Sequence, residues 1–138
     1  MTTVVVDASV AVKWVLAETG SVEARALGQT GADLIAPELV LIEVGNVLWK
    51  SVRLKRITAV DAERAFDALP SAFTRIEPLT PLLRRGLALA IALDHPVYDC
   101  LYLALAEREA APIVTTDARL LAILELRLNE QLVGTWVF

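Results

Sequence analysis

The apolar residues of this chain fall into two alternating rhythms. β-Branched runs occur at "TVVV" (3–6), "DLIA" (33–36), "TRIE" (74–77) and "PIVTT" (112–116), with "LVGTWV" (132–137) as a weaker fifth. Short runs of this kind, bounded by turn residues, predict buried strands. Between them, apolar spacings of three and four predict helices near 9–16, 21–28, 38–52, 58–69, 82–93, 97–109 and 118–127. Helices that separate strands predict a parallel sheet covered on both faces. The expected fold class is α/β, a three-layer α/β/α sandwich on a mainly parallel five-stranded sheet. One domain is expected to span residues 1–138.

Composition narrows the picture a little. With 138 residues, 56% hydrophobic and 22% charged, the chain can bury a substantial core and is not of disordered type. The net charge of -4 argues against non-specific coating of nucleic acid, while leaving room for local cations to meet a polyanion. The single Cys100 excludes an intrachain disulfide and a Cys-rich zinc site, and suits a reducing cytosol. The N-terminal apolar run is short, lacks a basic lead and contains Asp7, so it does not read as a signal peptide. The stretch from Leu87 to Ala106 has the length of a membrane span, but Asp94, His95, Pro96 and Asp99 interrupt it. That pattern predicts a buried helix pair.

Four acids carry the candidate chemistry. Asp7 ends the first strand and Asp117 follows "IVTT", each just before a helix. Taken singly, either reads as an N-cap worth roughly 0.5–2 kcal/mol. Asp99 falls in the first turn of a helix after Pro96, where the helix dipole favours a carboxylate. Glu43 differs. It lies within "PELVLIEVGNVLW", with Leu39, Val40 and Val47 on its face, Asn46 as the one polar neighbour, and only Arg25 as a base between Lys13 and Lys50. A buried carboxylate without a local partner is costly unless a partner or a metal compensates it.

In a parallel sheet all four acids converge on one rim, beyond the carboxyl ends of the strands, where such folds bind ligands. Two carboxylates about 4 Å apart repel by about 4 kcal/mol at an effective dielectric of ~20, so a cluster of four must take up cations or protons. The donors are all oxygens, which suits Mg²⁺ or Mn²⁺ rather than zinc. Acidic clusters of this kind serve phosphoryl chemistry. Ser9 and Thr115 add hydroxyl oxygens beside Asp7 and Asp117, as capping groups or as supports for the ligands.

Other residues read more plainly. His95 stands in a Pro-containing turn and reads as a turn residue, Asp94 as solvated loop and Cys100 as core. Lys50, Arg53, Lys55 and Arg56 gather at a helix end, which suits the dipole and also allows phosphate contacts. Arg84, Arg85 and Arg119 are similar, with Arg119 the best placed because it follows Asp117. Trp14, Trp49 and Trp136 read as core or subunit interface.

The segments "VVVDASVAVKWVLAE", "APELVLIEVGNVLWKSV", "VYDCLYLALAE" and "IVTTDARLL", in this order, resemble the PIN-domain nucleases and, more narrowly, the VapC-type toxins of toxin–antitoxin pairs. The resemblance covers essentially the whole chain, with "LRLNEQ" the least firm match. It carries the family's acidic quartet onto Asp7, Glu43, Asp99 and Asp117, and its accessory polar positions onto Ser9, Asn46 and Thr115. It implies a Mg²⁺- or Mn²⁺-dependent endoribonuclease in the cytoplasm, with an RNA substrate, a VapB-type antitoxin as partner and no membrane association. RNA contacts are expected from Arg119, Arg53 and Lys55, and a homodimer through the apolar region around Trp14. Two rival readings weigh against this one. A receiver-type phosphoacceptor module would need a lysine near the last strands, and none follows Lys55. A catalytically silent PIN-like domain that binds RNA or a partner would have no reason to keep four mutually repelling acids.

Overall fold

A computed structural model describes residues 2–127. The strand expected at 132–137 and Trp136 lie outside the described residues. In chain order the elements are β1 (Thr3–Val6), α1 (Ala8–Val15), α2 (Ser21–Leu27), β2 (Asp33–Pro37) and α3 (Leu39–Arg53). There follow α4 (Ala59–Ala68), a 3₁₀ turn (Leu69–Ala72), β3 (Arg75–Glu77), α5 (Thr80–Leu93), α6 (Val97–Glu109), β4 (Ile113–Val114) and α7 (Ala118–Arg127). α5 begins earlier than the apolar spacing suggested, because Pro81 lies in its first turn, where a missing N–H costs nothing. β4 is shorter than "PIVTT", because Thr115 leaves the ladder.

Among the described residues the sheet has four strands in the order β3-β2-β1-β4, all parallel. β1 has the uninterrupted valine run and is central, with Val4, Val5 and Val6 fully buried. The chain builds outward from β1 through β2 to β3, then returns to add β4 on the other side of β1. The order therefore reverses between β1 and β4, and a ligand crevice is expected beyond their carboxyl ends.

Two helix groups cover the sheet. α1 packs on α2 and α3, and α3 on α4 and β2, while α6 packs on α5, β1, β2 and β4. α6 is buried without a break from Cys100 to Ala106, so it has no clear polar side. Gly86 lets α5 approach it, since a Cβ there would stand 2.7 Å from Leu101 Cδ2. The apolar stretch spanning these two helices is bent by 114°, and no single helix among the described residues is long and apolar enough to cross a membrane. Trp14 turns inward: its Nε1 donates to the Ala24 carbonyl at 2.7 Å and its ring meets Phe73 edge-on. Trp14, Val15 and Leu16 remain partly exposed around these contacts.

Candidate active site

Asp7 is the first residue beyond β1, and Asp117 lies three residues beyond β4, so the two acids flank the point where the strand order reverses. Each also caps a helix. Asp7 accepts the Ser9 N–H at the start of α1, and Asp117 Oδ1 accepts the N–H groups of Arg119 and Leu120 at 2.8 and 3.2 Å. Capping and a place in the cluster therefore coexist in the same carboxylates. Glu43 comes from the second turn of α3, and Asp99 from the first turn of α6. All four line one cleft of about 460 Å³, together with Ser9, Asn46 and Tyr98.

Asp7 is the deepest of the four, at 4% exposure. Its Oδ2 accepts the Ser9 hydroxyl at 2.6 Å and the Thr115 hydroxyl at 2.9 Å. Both hydroxyls also accept a backbone N–H, Ser9 from Thr116 at 2.9 Å and Thr115 from Asp117 at 3.1 Å. Ser9 and Thr115 thus tie the ends of β1 and β4 together around the carboxylate. Burial raises the Asp7 pKa above its ordinary value, the two hydroxyl bonds oppose that rise, and the charge of Asp99 adds to it.

Glu43 is half-buried rather than enclosed, and it has a partner that the local sequence does not reveal. The hydroxyl of Tyr102 donates to its Oε1 at 2.7 Å. Its pKa is raised from 4.5 to about 7, first by burial, against the Tyr102 bond, and then by the charges of Asp7, Asp99 and Asp117. The charges of the other three acids thus all act on this one carboxyl. Asp99 has a partner of its own, since Oδ2 lies 2.6 Å from His95 Nε2, one helical turn earlier. His95, read as a turn residue, thus stands behind Asp99 and holds it without lining the cleft.

The other expected residues divide. Asn46 lines the cleft but makes no side-chain hydrogen bond among the described residues. Arg119, Arg53 and Lys55 are exposed and none lines the cleft; Arg53 lies 5.6 Å over the ring of Trp49. Tyr102 and His95 were the residues missed. The available signals were a polar-tipped aromatic within the apolar "CLYLALA", three residues after Asp99, and a histidine four residues before it.

The donor set tests whether a divalent ion suits this cleft. The donors lining the cleft are carboxylate and hydroxyl oxygens and the amide oxygen of Asn46, with the Oδ1 atom of Asp7 outside the bonds that hold Oδ2. Among the described residues no three acids, histidines or cysteines converge closely enough to enclose an ion. Such an open, all-oxygen arrangement fits an ion bound by few carboxylates with water completing its shell, the habit of Mg²⁺, and does not fit a closed zinc site.

The parallel sheet, the reversal point and the acidic cleft define the class. Residues 4–125 match the model of the PIN domain, and the chain belongs to that family. Within it, the chain is similar to the ribonuclease VapC3 of Pyrobaculum aerophilum, being 30% identical over 118 residues, 84% of this chain and 90% of that one. The solved structure of PAE2754 from Pyrobaculum aerophilum superposes with a TM-score of 0.72 at 27% identity, covering 94% of this chain and 91% of that one. The structure of VapBC2 from Rickettsia felis bound to a DNA fragment from their promoter has the same fold, with a TM-score of 0.70 at 13% identity over 99% of each chain.

Proposed function

We propose that this chain is a VapC-type toxin, an endoribonuclease that uses Mg²⁺, with Mn²⁺ as an alternative, to hydrolyse RNA phosphodiester bonds. The observation that carries this reading is the convergence of Asp7, Glu43, Asp99 and Asp117 on one cleft, felt at Glu43 as the charge of the other three. A divalent ion, when bound, supplies Lewis-acid polarisation of the phosphodiester and relief of the acids' mutual repulsion. The chain's own part is to hold the four carboxylates at the mouth of the sheet. Ser9 and Thr115 fix Asp7, Tyr102 fixes Glu43, His95 fixes Asp99, and the α7 backbone fixes Asp117. Arg119, on the first turn of α7, is the residue best placed to meet an RNA phosphate beyond the cleft.

The family resemblance supplies the rest of the reading. It comprises a single domain over 1–138, a cytoplasmic location without membrane association, a VapB-type antitoxin and a homodimer. Beside the partly exposed apolar region around Trp14, the exposed stripe of Leu83, Leu87 and Ile91 along α5 offers a second surface for another copy. Induced expression in bacteria, followed by mapping of cellular RNA ends, tests the proposal. Wild type is expected to arrest growth and create discrete new ends, Asp7→Asn to do neither, and co-expression of the neighbouring antitoxin gene to restore growth. New RNA ends that persist with Asp7→Asn would overturn it.

A further inference from the structure

Tyr102 is fully buried in α6, three residues after Asp99, yet its hydroxyl reaches across to α3. A buried phenol needs a hydrogen-bond partner, and many backbone carbonyls would serve. Here the partner is instead an acid of the cleft, Glu43 Oε1, at 2.7 Å. The phenol has one proton to donate and a carboxylate can only accept, so that proton goes to Glu43. One side chain thereby joins α6, which carries Asp99, to the second turn of α3, which carries Glu43.

We propose that Tyr102 is a positioning residue, which commits Oε1 of Glu43 to the protein and leaves Oε2 as the oxygen offered to a divalent ion. The proposal rests on the metal-dependent reading of the cleft. It follows the general pattern in which a hydrogen-bonded outer partner orients a ligating carboxylate, and loss of that partner weakens metal binding by about 10–100-fold. Tyr102→Phe keeps the ring that fills the core and removes only the bond.

The test combines Mn²⁺ calorimetry, steady-state RNA cleavage and thermal melts on wild type, Tyr102→Phe, Glu43→Ala and the double variant. Tyr102→Phe is expected to stay folded, bind Mn²⁺ about tenfold more weakly, and lose turnover with an unchanged KM for RNA. In the Glu43→Ala background the same change is expected to have no further effect on Mn²⁺ binding, because the residue through which Tyr102 acts is gone. Wild-type Mn²⁺ affinity and turnover in Tyr102→Phe, or an equal loss with and without Glu43, would overturn the positioning role alone. A wild-type chain that neither binds Mn²⁺ nor cuts RNA would overturn the functional reading and this proposal with it.

Discussion

The Thr115 hydroxyl donates to Asp7 Oδ2 at 2.9 Å while accepting the backbone N–H of Asp117 at 3.1 Å. One buried side chain thus holds two acids of the cluster at the ends of adjacent parallel strands. Replacing it by Val keeps the shape, removes one of the bonds to Asp7 and leaves the Asp117 N–H without this partner. Thr115→Val is expected to lose about 1–3 kcal/mol of stability in denaturant titration, and Thr115→Ser much less. Equal stability of the two variants would show that the hydroxyl does not hold the strand ends.

Glu43 supplies a pH dependence. Its pKa in the fold is about 7 against 4.5 in the open chain, so folding takes up a proton between those values. The penalty is absent below the lower value, grows as pH rises between them and is complete above the upper one. Asp7, also raised, acts in the same direction. Metal-free protein is therefore expected to melt a few degrees lower at pH 8 than at pH 5.5. Glu43→Gln should melt higher than wild type at pH 8, with a flatter pH profile and a smaller gain on adding Mg²⁺. A variant that melts lower than wild type without metal yet gains as much from Mg²⁺ would make Glu43 a structural residue.

The basic residues are expected to differ in effect. Arg119 follows Asp117 closely, whereas Arg53 is ten residues beyond Glu43 on α3, about 15 Å along the helix axis. Arg119→Ala should raise the KM for RNA several-fold and lower its salt dependence, with little change in kcat. Arg53→Ala and Lys55→Ala should change cleavage of a short oligonucleotide by less than about twofold, in line with exposed positions outside the cleft. A larger effect from Arg53 than from Arg119 would move the RNA path toward the end of α3.

The apolar stripe on α5 gives a solution test. Ile91 is 74% exposed and Leu87 55%, on the side of the helix opposite the buried Leu82 and Leu89. Leu87→Glu is expected to convert a dimer to a monomer in light scattering without unfolding it. A wild-type chain that is monomeric at all concentrations would remove the dimer from the account.

Much of this organisation is legible in the sequence, because strand burial and helix periodicity are local properties. The valine run before Asp7 and the turn after "IVTT" place two acids at strand ends without any knowledge of the sheet order. The partners of those acids are less visible. Helix spacing shows that Tyr102 shares a side of α6 with Asp99, but only the packing of α6 against the sheet brings its hydroxyl to Glu43, 59 residues away in sequence. Periodicity likewise marks Glu43 as lying on an apolar side, without revealing that the open cleft leaves it half-exposed.

The most direct test of a single metal-dependent acidic site is cleavage of a defined RNA by purified wild type and by Asp99→Asn. Each would be assayed with Mg²⁺, with Mn²⁺ and in excess chelator. Wild type is expected to cut with either ion and to stop in chelator, and Asp99→Asn to lose activity by about 10²-fold or more, as loss of a group stabilising transition-state charge does elsewhere. Undiminished cleavage in chelator, or full activity in Asp99→Asn, would contradict the account.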